Sequence, residues 1–208
     1  MVEAVKNAVI GGKLRKIEAI VQEALEDGAS ATEILDSMSA AMDEIGIRFQ
    51  ANEMYVPEML VGAKTMQRGV GVIRPLLGSQ ETGKYGKFAI GTVSGDLHDI
   101  GKNLVAMMVE SAGFEVIDLG VDVTPEQFVE TVRANPDCRI IGLSALLTTT
   151  MDSMRDTVKA LERAGLRSQV KVMVGGAPIT QSYADEIGAD AYTPDAAAAA
   201  AKARDLVG

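Results

Sequence analysis

The stretch Phe88-Ala89-Ile90-Gly91-Thr92-Val93, followed at once by Ser94-Gly95-Asp96-Leu97-His98-Asp99-Ile100-Gly101-Lys102, decides the reading of this chain. A short apolar run ending at a glycine and an aspartate reads as a buried β-strand, and the helical spacing after it reads as the return helix. The loop between them holds the one histidine in 208 residues. A neutral imidazole can give one ring nitrogen to a metal, while the other needs an acceptor that fixes tautomer and orientation. Asp96, two residues before His98, stands where such an acceptor is needed. A lone histidine at a strand end is more often a hydrogen-bonded loop residue than a ligand, so the rest of the chain must carry the case.

Downstream, apolar β-like runs recur at 115–119, 140–144, 170–174 and 190–192, with amphipathic segments between them. Thr124-Pro125-Glu126-Gln127 combines a capping box with proline at the first helical position. A last helix is expected from Asp195, through an alanine run. Five strands alternating with helices predict an α/β fold with a parallel sheet covered on both faces. The common five-strand order is 2-1-3-4-5, whose ligand crevice opens at the carboxyl ends of strands one and three. The loop with His98, the run Ser144-Ala145-Leu146-Leu147-Thr148-Thr149-Thr150 and the turn Gly175-Gly176-Ala177-Pro178 would then meet on one face.

Upstream, the period is helical. Leu14, Ile17, Val21, Ala24 and Leu25 form one stripe. Ile34, Leu35, Met38, Met42 and Ile45 form a second, opened by the capping pattern Ser30-Ala31-Thr32-Glu33. Met59, Ala63, Met66, Val70 and Ile73 form a third, with Pro57 in its first turn. With a short leading helix before Gly11-Gly12, residues 1–77 read as a four-helix bundle. The polar segment 78–87 reads as a linker, so the expected domains are 1–82 and 83–208.

Composition narrows the function. A net charge of −9 and a pI near 4.7 argue against nucleic-acid or anionic-membrane binding. No apolar stretch approaches the ~20 residues of a membrane span. Residues 1–10 lack the apolar core of a signal peptide, so a cytoplasmic location is expected. One cysteine, Cys138, excludes an internal disulfide framework, and no Cys/His cluster suits zinc. There is no Gly-x-Gly-x-x-Gly after the first strand and no P-loop, which leaves dinucleotide and nucleotide readings without their phosphate cradles. Ser144 ends strand three, where a phosphoacceptor domain would want aspartate, and no Gly-x-Ser-x-Gly elbow surrounds it.

Taken together, Asp96-x-His98-x-x-Gly101, Ser144-x-Leu146 and Gly175-Gly176 resemble the three-part corrinoid (vitamin B12) binding signature. The chain resembles the methyltransferase-associated corrinoid proteins along nearly its full length. Its helical half is similar to their cap at Arg48-Phe49, Glu53, Tyr55, Pro57-Glu58, Ala63 and from Met66 through Leu76-Leu77. The resemblance implies a four-helix cap joined to a Rossmann-like (flavodoxin-like) B12-binding domain. It implies His98 as the lower axial ligand of cobalt in place of the cofactor's own base, Asp96 as its orienter and Ser144 as the outer member of the relay. A slot bordered by Ser144, Leu146, Thr148, Gly175 and Gly176 would take the cofactor's tail, with Tyr192 and Thr193 as weaker contacts. Asp99 and Lys102 match too, although helix capping and a solvated charge explain them equally well.

The implied cofactor is cobalamin or a related corrinoid, carried as methylcobalamin during turnover. The implied role is a methyl carrier that is not catalytic alone. It would serve a substrate-specific methyltransferase and a second methyltransferase with a folate-type or thiol acceptor, with a reductive activator as a further partner. The overall resemblance leans to an O-demethylase system, without a residue behind that choice. The helical half would shield the upper cobalt face and swing on the linker, or else only stabilise the fold or a homodimer. Two other classes stay open. A mutase subunit would need a separate barrel chain, and a B12-sensing regulator would need an output module.

Overall fold

Ser30 and Glu33 open the longest helix by a reciprocal exchange. The Ser30 hydroxyl accepts the Glu33 N–H at 3.2 Å, and the Glu33 carboxylate accepts the Ser30 N–H at 2.8 Å. That box starts α3 (Ala31–Gln50), which runs beside α1 (Val2–Ile10), α2 (Ile17–Glu26) and α4 (Val56–Ile73). In this computed structural model residues 1–77 and 84–208 are described, and the expected linker at 78–87 lies largely outside them. The inward stripes are those of the sequence: Ile17, Val21, Ile34, Met38, Ile45, Met59 and Ile73 are all buried. Each such side chain contributes on the order of 2 kcal/mol by leaving water. The chain divides into two units, Met1–Lys84 with Ser111–Gly113, and Tyr85–Glu110 with Phe114–Gly208.

The second unit alternates strand and helix: β1 (Lys87–Thr92), α5 (Ile100–Ser111), β2 (Glu115–Asp118), α6 (Pro125–Ala134), β3 (Cys138–Ser144), α7 (Met151–Arg163), β4 (Lys171–Gly175), α8 (Gln181–Ile187), β5 (Ala191–Tyr192) and α9 (Ala196–Val207). All pairings are parallel, and the order is β2-β1-β3-β4-β5. This is the doubly wound order expected from the sequence. Neighbouring residues Phe88 and Ala89 point to opposite faces, yet both are buried, so helices cover the sheet on both sides. Ala89, Ile141, Leu143 and Val172 join Phe128 of α6 and Met154, Val158 and Leu161 of α7 in one core. Thr124 and Gln127 form the expected capping box, and Asp195 caps α9 by accepting the Ala198 N–H at 2.8 Å. The order reverses at β1 and β3, whose carboxyl ends carry the loops that matter below.

Candidate functional site

The loop after β1 is held by side chains that the fold buries. Thr92, the last residue of β1 and fully buried, donates its hydroxyl to the His98 carbonyl at 2.8 Å. Asp96 is also fully buried. Its Oδ1 lies 2.7 Å from His98 Nδ1 and accepts the His98 backbone N–H at 3.1 Å. Its Oδ2 accepts the Leu146 N–H at 2.7 Å and the Leu147 N–H at 3.2 Å, and lies 3.0 Å from the Thr150 hydroxyl, whose one proton is shared between this carboxylate and the Leu147 carbonyl at 2.9 Å. Burial alone would push this carboxyl up. The Leu146 N–H, the His98 ring and N–H and the Leu147 N–H outweigh it and hold the group well below the usual carboxylate range. A carboxylate that stays ionised assigns the Nδ1 proton to the imidazole. In the neutral ring Nε2 then carries the lone pair, on a side chain that is 52% exposed.

The loops at this end of the sheet expose apolar side chains. Leu97 and Ile100 are 72% and 79% exposed, and Val121, Leu146 and Leu147 are also open to solvent. All five sit on loops or helix starts at the carboxyl ends of β1, β2 and β3. Exposed apolar side chains gathered at one end of a sheet mark a surface meant to be covered. Among the described residues no three His, Cys, Asp or Glu side chains come together as a metal cage. A single imidazole suits a metal that arrives with its in-plane ligands already supplied by a macrocycle, and the apolar rim suits the faces of such a ring. Gly101, exposed in the first turn of α5, has nothing within 4 Å of where a Cβ would stand. The protein's own packing does not demand glycine there, and the space is free for a bulky group. The residues present therefore fit a corrinoid.

Other expected residues divide between site and scaffold. Ser144 makes no hydrogen bond to Asp96; the hydroxyl on that carboxylate is Thr150, six residues further on. Ser144 is the last residue of β3, paired in register with Thr92 and Gly175, and the chain must turn past Leu147 before a hydroxyl can face Asp96. Lys102 is not a solvated charge. It is buried and bonded to both Asp118 oxygens at 2.7 Å, which ties α5 to the end of β2. Asp99 accepts the Asn103 amide at 3.1 Å and its carbonyl accepts the Asn103 N–H, as a residue opening a helix does. Gly176 has φ +131, and a Cβ there would lie 1.8 Å from the Ala145 carbonyl oxygen. Backbone crowding between the loops after β3 and β4 thus requires this glycine. Gly175 would bring a Cβ to 3.3 Å from the Thr193 carbonyl. Tyr192 packs partly against the core, while Leu146 and Thr148 stand exposed beside the histidine loop. Sequence reading passed over Thr92, Asp118 and Asp122. Only the Thr148–Thr150 run hinted at a hydroxyl near the site.

Comparison with known proteins bears on this geometry. The family described as B12 binding domain matches residues 86–202, and a second family of that description matches residues 1–74. Dimethylamine corrinoid protein 3 of Methanosarcina acetivorans is 42% identical over 207 residues, covering 100% of this chain and 97% of its own. Trimethylamine corrinoid protein of Methanosarcina barkeri is 43% identical over 190 residues, covering 90% and 87%. The crystal structure of a cobalamin-binding protein from Desulfitobacterium hafniense DCB-2 superposes with a TM-score of 0.85 at 33% identity, covering 100% and 99%.

Proposed function

Because the chain belongs to the methyltransferase-associated corrinoid proteins, whose cofactor is a cobalamin-type corrinoid, we propose that it is a methyl carrier in which His98 is the protein ligand to cobalt. One observation carries the reading: His98 Nδ1 is held at 2.7 Å by a buried carboxylate while the side chain stays half exposed at the carboxyl end of the sheet. When bound, the corrinoid supplies a cobalt centre that can accept a methyl group and give it up. The chain's part is to bind and orient. Asp96 keeps the Nδ1 proton in place and aims Nε2 outward. Leu146 N–H, Leu147 N–H and Thr150 anchor Asp96 from behind, so Thr150 takes the outer place that the sequence assigned to Ser144. Leu97, Ile100, Leu146 and Leu147 cover the macrocycle's apolar surface and exclude water from the ligand. Ser144, Thr148, Gly175 and Thr193 border the slot for the tail.

The partners are methyltransferases, one loading the carrier and one unloading it to a folate-type or thiol acceptor. The relatives named above are methylamine corrinoid proteins, and we take a methylamine as the donor in preference to the O-demethylase system expected from sequence. Units 1–82 and 83–208 act as cap and cofactor domain in this reading. Among the described residues no helix is long and apolar enough to cross a membrane.

The test is paramagnetic resonance of the cob(II)alamin-loaded protein with ordinary and nitrogen-15-labelled chain. An axial splitting that changes with protein labelling and disappears in His98→Ala is the expected result. A splitting insensitive to both would remove His98 from cobalt.

A further inference from the structure

Two non-glycine residues among those described have a left-handed backbone, Asn52 at φ 59 and Asp122 at φ 54. Asn52 has an ordinary reason. It follows the end of α3, and the Glu53 N–H reaching back to the Arg48 carbonyl at 2.8 Å completes a helix stop in which a left-handed residue is usual. Asp122 ends no helix. It lies exposed between β2 and α6, where no burial offsets a conformation that costs about 1 kcal/mol. In this conformation Asp122 grips the histidine loop. Asp122 Oδ1 accepts the Gly95 N–H at 2.7 Å and the Ser94 hydroxyl at 3.3 Å. Its own N–H donates to the Asp96 carbonyl at 3.0 Å. One residue thus holds two consecutive residues of that loop, Gly95 through its carboxylate and Asp96 through its own N–H.

We infer that Asp122 is a positioning residue: its carboxylate and its backbone N–H clasp Gly95 and Asp96, and so hold the His98 imidazole against its acceptor. The clasp acts on the backbone of Asp96, whereas Leu146, Leu147 and Thr150 act on its carboxylate, so the two sets of bonds are separate supports. Its value to cofactor binding rests on the reading of His98 as the cobalt ligand. Its value to the geometry of the free protein does not.

One histidine makes the test direct, because untagged chain labelled with nitrogen-15 histidine gives the spectrum of a single imidazole. In the cofactor-free protein the neutral ring shows the Nδ1–H tautomer that the 2.7 Å contact with the Asp96 carboxylate favours. Asp122→Ala shifts the ring toward the Nε2–H form of an unrestrained imidazole. Asp122→Gly does the same although it relieves the backbone, and Asp122→Asn, which keeps the acceptor and tolerates φ > 0, retains the wild-type spectrum. With cob(II)alamin as ligand, the alanine variant binds about tenfold more weakly, the low end for an outer partner of a metal ligand, and asparagine restores the affinity. Wild-type spectra and affinity in both the alanine and glycine variants would overturn the clasp. So would an asparagine variant as impaired as alanine, since charge and not the acceptor would then be at work. A protein-nitrogen splitting that survives His98→Ala would instead overturn the ligand reading, and the ring spectrum of the cofactor-free chain would still decide the clasp.

Discussion

The helical unit and the carboxyl end of the sheet bury polar groups for opposite ends. Within α1 to α4 the buried hydroxyl of Thr65 is satisfied by Val61 O at 2.6 Å, one turn back in its own helix, and positions nothing else. At the carboxyl ends of β1 to β3, Thr92, Asp96, Lys102 and Thr150 are all buried, and each bonds to a different segment. Apolar burial is non-directional, so the bundle can tolerate small shifts of its side chains. A buried carboxylate holding five donors cannot. Where a chain concentrates directional bonds under its surface, it is fixing geometry, and here that geometry is the aim of one imidazole.

The largest effect should come from Asp96→Asn. An amide cannot accept on both sides, so one set of buried donors loses its partner, at a cost of about 3 kcal/mol in urea unfolding. The His98 ring should lose its tautomer preference as well. Met38→Ala in α3 should cost a similar ~3 kcal/mol by leaving a cavity, yet leave the ring spectrum untouched. A ring spectrum altered by Met38→Ala would break the contrast between the two regions.

Next comes the pair under α5. Asp118→Asn strands the buried Lys102 ammonium. Breaking a buried pair costs more than this site should show, because Asp118 is 45% exposed and water screens it, so about 2 kcal/mol is expected. Lys102→Met leaves a carboxylate that water can reach and should cost under ~1 kcal/mol. Equal losses would mean that the ammonium is better hydrated than its burial indicates.

Thr150→Val keeps the shape and removes a hydroxyl bonded to a carboxylate, for about 1.5 kcal/mol, whereas Ser144→Ala should cost no more than ~0.5 kcal/mol. The reverse ranking in thermal or urea unfolding would return the outer place to Ser144. Smallest of all, Thr65→Val should fall within ~0.5 kcal/mol, since its hydroxyl serves only its own helix. A loss comparable with Thr150→Val would show that buried hydroxyls in the two regions do the same job.

The strands and their order were legible because hydrophobic period and turn residues are local signals, and because few topologies satisfy five alternating strands and helices. The pairing of Asp96 with His98 was legible for the same reason: two residues apart, they share one loop. Thr150 was not, because which of four hydroxyls in 144–150 faces Asp96 depends on how the chain turns after β3, a path set by contacts 50 residues away in sequence. Lys102 read equally as a cofactor contact or a solvated charge, since its partner, Asp118, stands on another strand. Asp122 gave no sign at all, because a left-handed aspartate in a polar loop has the same letters as an ordinary one. Gly176 was noticed for the right letter, but crowding by the Ala145 backbone explains it.

Cys138 opens β3 and Ser144 ends it, so the one thiol stands about 20 Å along the strand from the end that bears the histidine loop. Burial pushes that thiol up, which keeps it protonated. Thiolates are among the best traps for an activated alkyl group. A sulfhydryl that is sealed, protonated and at the far end of the sheet is kept from competing for an alkyl group carried at the other end.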